Sequence, residues 1–249
     1  MLLCELIMEK EKLNFQENYI PASTSTALDP LEDGISSIEL IRVSGSDLDV
    51  VNAARVSYGK VSAELSERDA VLINFLMEHE HMSPFEHNQL SFRVKAPLYV
   101  VRQWMRHRMN SYNEISYRYV KAPLEFYIPA YWRKQDTKNK QSSVGQDYSP
   151  ELFEAYKKSL ETAKESYEAL LAAGICREQA RGLLPLCTYS EFIFTCNLHS
   201  LIHFIKLRTH PGAQYEIRVY AQAMLKLAEP HFAVSLAAFK NKTLKAEKS

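Results

Sequence analysis

The scarcity and placement of glycine restrict the folds open to this chain more than any other feature. The 249 residues include only seven glycines, at positions 34, 45, 59, 145, 174, 182 and 212, against a usual share of about 7%. No Gly-x-Gly occurs, so the phosphate-binding turn of a dinucleotide-binding domain is absent. No two glycines lie five apart and no Gly-x-Ser-x-Gly occurs, which excludes a P-loop and a nucleophile elbow. Any nucleotide or cofactor must bind to another architecture.

Overall composition gives no sign of a charged or apolar partner. Lys plus Arg and Asp plus Glu each number 30, so the formal net charge is zero, and nothing global points to nucleic acid or a membrane surface. No apolar stretch approaches the roughly 18 residues that cross a bilayer. The four cysteines form no Cys-x-x-Cys pair. These features predict a cytoplasmic protein with reduced thiols and no membrane partner.

Strand and helix periods alternate along the chain. Strands are predicted over 38–43, 90–96, 114–120 and 189–196. Helices are predicted after the pairs Ser46 with Asp49 and Ser66 with Asp69, over 97–108, from Pro150 to Gly174, around 177–181, over 197–207 and over 213–228, the last helix. Residues 1–35 are predicted to be a loosely ordered extension, 131–148 a mobile surface loop and 240–249 a charged, frayed tail, which leaves one domain at 36–239.

Positive charge is concentrated in residues 88–120 of this neutral chain. The segment contains one acid, Glu114, against six basic residues, namely Arg93, Lys95, Arg102, Arg106, Arg108 and Arg118. A guanidinium can bind phosphate through two hydrogen bonds, and a charge-assisted bond contributes about 1.5–3 kcal/mol. Two or three converging arginines are therefore enough to hold a small phosphorylated ligand, although a solvated basic face is the alternative for such a cluster.

The side-chain types within 106–118 favour ligand binding over a solvated face. Solvated faces usually carry Lys and Glu, whereas this stretch combines Arg106, His107, Arg108, Ser111, Asn113, Glu114, Ser116 and Arg118. Asn both donates and accepts hydrogen bonds, Ser does either, and a predicted turn at 109–112 adds backbone amides. The segment therefore predicts a site for a planar heterocycle that carries phosphate.

The run Arg106-His107-Arg108-x-x-Ser111-x-Asn113-Glu114-x-Ser116-x-Arg118 resembles the signature of the flavin-dependent thymidylate synthases at all eight fixed positions. The resemblance continues through 53–57, 81–87, Arg177 and Arg181 before Leu184-Pro185, and Leu207-Arg208 before Ala213-Gln214, so it covers about residues 36–239, the predicted catalytic domain. It implies an α+β fold in which helices pack around a mainly antiparallel sheet, with a single domain per subunit. It also implies a homotetramer with shared active sites and FAD in a cleft between subunits.

The activity implied by the resemblance is reductive methylation of dUMP to dTMP. Methylenetetrahydrofolate supplies the carbon, NADPH reduces FAD, and the reduced flavin delivers hydride to the pyrimidine. Ser116 has no evident base, and an unactivated hydroxyl is a poor nucleophile, so no protein nucleophile is required. Arg208 and the turn amides are the candidates for stabilising charge that develops on the pyrimidine oxygens.

Site roles follow from the resemblance by position. The implied catalytic residues are Arg106, Ser116 and Arg208. The implied nucleotide ligands are Gln103, Arg106, Glu114, Ser116, Tyr117, Arg118, Arg181 and Arg208. The implied flavin and folate contacts are Ser57, His81, Ser83, Glu86, Arg106, His107, Arg108, Met109, Asn113, Glu114, Asn197, His199 and His203. No metal is expected, because the histidines lack the ligand spacing of a zinc site.

Two other functions stay open on the sequence alone. Trp104, Tyr112, Tyr117 and Tyr119 interleave with arginine, as in proteins that bind single-stranded RNA by stacking and backbone charge. The neutral total charge and the absence of an RRM-like aromatic motif count against a nucleic-acid partner. An enzyme of the same fold that methylates UMP is the other alternative, because the sequence does not reveal a contact to the ribose 2′ position.

Overall fold

The computed structural model of the chain describes residues 27–246, so 1–26 of the predicted extension and 247–249 of the predicted tail lie outside the described residues. Its strands are β1 (Ser37–Ser44), β2 (Gln89–Pro97), β3 (Ser111–Glu114), β4 (Trp132–Gln135), β5 (Ser143–Asp147) and β6 (Tyr189–Asn197). Four of them form an antiparallel sheet in the order β1-β2-β6-β3, and β4 pairs with β5 in a separate hairpin. The predicted α+β class with a mainly antiparallel sheet is confirmed.

Helices surround this sheet and share one main hydrophobic core with it. They are α1 (Asp47–Arg55), α2 (Glu67–Glu78), α3 (Leu98–Trp104), α4 (Pro150–Ala172), α5 (Arg177–Ala180), α6 (Leu198–Arg208), α7 (Tyr215–Ala228) and α8 (Ala233–Ala246). At the start of α2, the Ser66 N–H donates to the Asp69 carboxylate at 2.8 Å, as predicted. Ser46 before α1 instead donates its hydroxyl to Asp49 at 2.8 Å. Within residues 27–246, no helix has the length and apolarity to cross a membrane.

Trp104 is the centre of the core beneath the signature segment. Its ring is fully buried and lies 4.8 Å from Phe204 of α6 and 5.8 Å from Tyr220 of α7, between ring centroids. It also lies 5.3 Å from Phe192 and 5.7 Å from Phe194 of β6. Truncating so large a buried aromatic side chain typically costs about 3–5 kcal/mol. Trp104 therefore fixes the end of α3, from which the signature segment begins.

The helix predicted over 97–108 ends early, at Trp104. Its buried side chains are Val100, Val101 and Trp104, and Met105, just beyond its end, is 36% exposed. The predicted length was wrong because the chain turns after the buried Trp104 ring, and the His107 N–H donates to the Trp104 carbonyl at 3.0 Å.

The prediction of a strand over 114–120 was also wrong. Strand β3 ends at Glu114, and the following residues turn, with the N–H groups of Tyr119 and Val120 donating to the Ser116 carbonyl at 2.9 and 3.1 Å. Tyr117 is buried, and its hydroxyl donates to the Tyr189 carbonyl. The polar and apolar alternation reflects one buried tyrosine in a turn, so the polar residues of this stretch do not share a strand face.

Three predicted irregular segments are ordered. Residues 131–148, predicted as a loop, form the β4–β5 hairpin, whose polar residues on both faces gave no apolar alternation. Helix α8, which was not predicted, continues through the predicted tail to residue 246, and Lys242 donates to the Met77 carbonyl at 2.9 Å. Near the chain start, Leu31 is buried and the Gly34 N–H donates to Asp29 at 2.7 Å. Residues 27–35 are therefore not loosely ordered.

Candidate active site

The signature begins in a turn that two side chains close. The Tyr112 hydroxyl lies 2.6 Å from the His107 carbonyl oxygen and 3.1 Å from that of Trp104, and the Asn110 amide donates to the His107 carbonyl at 3.0 Å. The turn is thereby held between buried Trp104 and β3. Arg106 and Arg108 lie on its exposed side, and neither guanidinium has a hydrogen-bond or ion-pair partner within residues 27–246.

On the inner side of the turn, Gln103, His107 and Arg208 form what we call the closed cluster. Arg208, at the end of α6, donates from Nε to His107 Nε2 at 3.0 Å and from Nη2 to the Gln103 carbonyl at 3.1 Å. Burial, together with the charges of Arg208 and His203, lowers the pKa of His107 to about 4. His107 is therefore neutral at pH 7 and accepts the bond from Arg208, which remains a cation.

The closed cluster extends to three residues for which no site role was predicted, Gln214, Glu216 and Arg133. The Gln103 side-chain amide donates to Gln214, and Gln214 donates to Glu216 at 2.8 Å. Arg133 of the hairpin donates to both carboxylate oxygens of Glu216, at 2.7 and 2.9 Å. A signal was present, because Glu216 is a charged residue four positions before Tyr220 on the buried side of α7.

A second group of signature residues lines a cavity of about 570 Å³, which we call the open cavity. It contains four predicted nucleotide ligands, Glu114, Ser116, Tyr117 and Arg181. The Ser190 hydroxyl donates to Glu114, which fixes that carboxylate. The Ser116 hydroxyl oxygen accepts from the Arg118 backbone N–H at 3.3 Å, and no His or carboxylate of residues 27–246 bonds to it. Ser116 therefore has no base within the described chain.

The closed cluster and the open cavity lie on different sides of α3. Leu98, Arg102 and Met105 line the open cavity. Successive helical side chains are about 100° apart, which places Gln103 about 130° around the axis from the centre of that face. Gln103 accordingly bonds to Gln214 at the start of α7. The Gln103 side chain is therefore not part of the open cavity of its own subunit.

Arg118 was predicted to bind the nucleotide, but its guanidinium pairs with Glu178 at 3.2 Å. It lines a neighbouring depression with Lys121 and Arg177, not the open cavity. Both members of this pair are about half exposed or more, and surface pairs contribute only about 0–1 kcal/mol. The pair is therefore weak enough for a phosphorylated ligand to replace Glu178.

Four of the predicted flavin contacts, Glu86, Asn197, His199 and His203, lie on the α6 side of the molecule. His199 Nδ1 lies 2.9 Å from the Glu86 carboxylate, and Asn197 accepts from the Ser200 N–H at 2.8 Å through its side-chain oxygen, which leaves its amide N–H groups free to donate. His199 and His203 line a cavity of about 470 Å³ between α6, α8 and the end of α2. Of the remaining predicted contacts, the structure places these at the surface: Ser57, His81, Ser83, Met109 and Asn113.

Among residues 27–246, no group of three or more His, Cys, Asp or Glu side chains is arranged to hold a metal ion. The donors that are present are exposed guanidinium groups, amides, hydroxyls and imidazoles, which suit the phosphates and ring carbonyls of a nucleotide.

Comparison with known proteins identifies related chains along most of this sequence. The family described as "Thymidylate synthase complementing protein" matches residues 39–232. A flavin-dependent thymidylate synthase of Thermus thermophilus is 45% identical over 207 residues, which are 83% of this chain and 76% of that protein. Another, from Thermosipho africanus, is 43% identical over 187 residues, which are 74% of this chain and 82% of that protein.

Solved structures agree with the sequence relatives. The crystal structure of PolB, a UMP/dUMP methylase from Streptomyces cacaoi bound with 5-Br dUMP, is 37% identical, has a TM-score of 0.77 and covers 83% of this chain and 95% of that chain. With 5-Br UMP bound, the same methylase has a TM-score of 0.74 at 36% identity, with 83% and 94% covered. The family predicted from the signature is confirmed, and the chain belongs to the flavin-dependent thymidylate synthases.

Proposed function

We propose that this protein catalyses the reductive methylation of dUMP to dTMP, with methylenetetrahydrofolate as carbon donor, NADPH as reductant and FAD as bound cofactor. The observation that carries the proposal is the open cavity, where Glu114, Ser116 and Arg181 surround a space of about 570 Å³. The carboxylate and hydroxyl can bond to a sugar or base, and the guanidinium can pair with a phosphate. Membership of a family of flavin-dependent thymidylate synthases supports this assignment.

The donors on the α6 side fit a flavin nucleotide. Arg108 is exposed and unpaired within residues 27–246, so it is available to a pyrophosphate. The free amide N–H groups of Asn197 and the Glu86–His199 pair supply donors and acceptors for the ring edge and ribose. When bound, FAD would supply the hydride that no side chain of the chain can supply.

Arg208 is proposed to stabilise negative charge on the pyrimidine ring. Its cation is held by neutral His107 and by the Gln103 carbonyl, so its position is fixed before substrate binds. Arg106 is proposed to bind the nucleotide from the outer side of the turn. Ser116 is proposed to bind and orient substrate without attacking it, because no base of the described chain bonds to its hydroxyl.

The opposite orientation of the closed cluster and the open cavity supports active sites shared between subunits. Gln103 and Arg208 of one subunit and Glu114, Ser116 and Arg181 of another would then contact one nucleotide. We accordingly propose a homotetramer in the cytoplasm, with the exposed Arg106 and Arg108 at the contact between subunits. Sedimentation of the purified protein tests the assembly, and a monomer at micromolar concentration would contradict it.

A direct assay tests the activity. The purified protein should be yellow, release FAD on denaturation and bleach with NADPH in the absence of oxygen. With dUMP and methylenetetrahydrofolate added, chromatography should show dTMP. A protein that cannot be loaded with flavin, or one that binds flavin and makes no dTMP, would contradict the proposal.

UMP methylation is the second candidate function. It is favoured by the similarity to PolB, a UMP/dUMP methylase whose structure has been solved with analogues of both nucleotides. Competition between UMP and dUMP in the same reaction decides between the two. Preferential formation of dTMP supports the first function, and preferential formation of 5-methyl-UMP supports the second.

A further inference from the structure

We propose that Glu216, with its partner Arg133, is a positioning residue that fixes the side-chain amide of Gln103 for nucleotide recognition. The inference rests on the proposed function, in which Gln103 binds the nucleotide. It gives a role to the hairpin at 131–148, where Arg133 lies, and to the start of α7, where Glu216 lies.

A continuous line of hydrogen bonds joins the hairpin to Gln103. Arg133 donates to both oxygens of Glu216, at 2.7 and 2.9 Å. Glu216 accepts from the Gln214 amide at 2.8 Å, and Gln214 accepts from the Gln103 amide. We call this line, from Arg133 to Gln103, the amide relay.

Hydrogen-bond chemistry gives the amide relay one direction. The Glu216 carboxylate accepts two hydrogen bonds from the Arg133 guanidinium. An ionised carboxylate can only accept hydrogen bonds. Gln214 must therefore turn its NH2 group toward Glu216 and its carbonyl toward Gln103. Gln103 must then turn its own NH2 group toward Gln214, which leaves its side-chain carbonyl as the acceptor that faces away from the relay. A glutamine without such a neighbour would interchange its two ends freely.

The burial of Glu216 maintains this orientation of the two amides. Glu216 is only 2% exposed, and its loss of hydration is offset by Arg133 and by the Tyr127 hydroxyl at 3.4 Å. The Arg133 guanidinium is itself held over the Tyr215 ring, 5.3 Å from its centroid. Leaving such a carboxylate unpaired is strongly unfavourable, so the relay keeps its geometry before any ligand binds. Such fixed supporting contacts are what a precise binding group needs.

The main test is steady-state kinetics of the holoenzyme with Glu216→Gln. A glutamine at 216 is nearly isosteric and can present either an acceptor or a donor to Gln214, so the Gln103 amide loses its fixed direction. We expect the KM for dUMP to rise about tenfold while the KM for NADPH and the flavin content stay unchanged. A variant whose defect is only structural would instead have a lower flavin content and a lower kcat, and its KM for NADPH would change together with its KM for dUMP.

A double-mutant cycle isolates the relay. Gln214→Met removes the link at similar volume and leaves the Arg133–Glu216 pair intact, so it should raise the KM for dUMP by a similar factor. Once Gln214→Met is present, adding Glu216→Gln should cause little further change, because residues in one network are not additive. If Glu216→Gln does not fold, Gln214→Met alone tests the inference. Its KM for dUMP should rise while its KM for NADPH stays unchanged.

Glu229→Gln is the matched control. It removes a glutamate that follows the same helix and pairs with Lys240 at the surface, so the KM for dUMP should not change. Independent, multiplied effects of Glu216→Gln and Gln214→Met, or an unchanged KM for dUMP in both, would overturn the inference while a wild-type enzyme that makes dTMP still upholds the proposed function. A wild-type enzyme that makes no dTMP would overturn both.

Discussion

The closed cluster carries a cation, Arg208, in surroundings opposite to those of Arg106 and Arg108, the two exposed arginines of the signature turn, which we call the outer arginines. Arg208 is partly buried and donates to His107 and to the Gln103 carbonyl. Arg106, three residues from Gln103, is exposed and has no partner within residues 27–246. The comparison separates two ways of preparing a cation for an anionic ligand. One is fixed in advance by the fold, and the other is left for the ligand or a second subunit to satisfy.

Removing a side chain should therefore have different effects in the two regions. A group of the closed cluster supports both the fold and the binding site, so its removal leaves neighbouring polar groups unpaired. Removal of an outer arginine leaves nothing unpaired within the described chain. A substitution in the closed cluster should therefore lower both the stability of the fold and the affinity for the ligand. A substitution of an outer arginine should lower the affinity alone.

The largest effect is expected from Arg208→Ala. It removes the cation proposed to face the pyrimidine and leaves the buried His107 without its donor. We expect kcat/KM for dUMP to fall about 100-fold, which corresponds to roughly 2.7 kcal/mol, together with a lower melting temperature. Kinetics and thermal unfolding measure the two effects, and a variant with unchanged kcat/KM would remove Arg208 from the proposed site.

A pH dependence of stability should follow from His107. Its pKa is lowered by burial from 6.5 to about 4, so the unfolded chain takes up a proton first as the pH falls. The contribution to the free energy of unfolding is complete above pH 6.5 and is lost as the pH falls toward 4. It amounts to about 2 kcal/mol after allowance for partial solvent access.

His107→Gln keeps an acceptor for Arg208 but does not titrate, so it isolates this contribution. Urea unfolding at pH 7 and pH 4.5 should show a larger loss of stability for the wild type than for the variant. Equal losses in the two proteins would show that His107 is not buried in its neutral form.

Arg106→Ala should separate binding from stability. We expect a dissociation constant for dUMP about tenfold higher, with a melting temperature within about 1 °C of the wild type, since surface substitutions seldom change stability by more than about 0.5 kcal/mol. Calorimetric titration and thermal unfolding measure both. Arg93→Ala, an exposed arginine of β2 outside the signature, is the control and should change neither.

The smallest effect is expected from Ser116→Ala. Because the Ser116 hydroxyl bonds to a backbone N–H and to no base, its removal should lower kcat only about threefold, near the value of one neutral hydrogen bond. Single-turnover formation of dTMP by flavin-loaded protein measures it. A folded, flavin-loaded variant with no turnover at all would indicate that Ser116 is a nucleophile.

Local periodicity predicted the parts of the fold that repeat. The strand over 90–96 and the helix over 197–207 appear as β2 and α6, and Leu198, Leu201, Ile202 and Ile205 form the buried side of α6. Both elements pack one apolar face against the core, which is what such periods record. The signature likewise identified the family, and its residues 114, 116 and 117 line one cavity with Arg181.

The amide relay could not be predicted from local patterns in the sequence. Gln103 and Gln214 are 111 residues apart, and Arg133 and Glu216 are 83 apart. Their pairing depends on how the hairpin and α7 pack, and no period in the sequence records that. The turn after β3 was mistaken for a strand for a related reason, because Tyr117 is buried by a long-range contact with Tyr189.

The central claim is that the closed cluster of one subunit and the open cavity of another complete each active site. Coexpression of Arg208→Ala and Arg181→Ala chains with different affinity tags, followed by isolation of mixed tetramers, tests it most directly. Each variant alone should be nearly inactive, whereas random mixed tetramers should recover about a quarter of wild-type dTMP formation, because some sites combine two intact halves. Mixed tetramers with no more activity than the separate variants would contradict the claim.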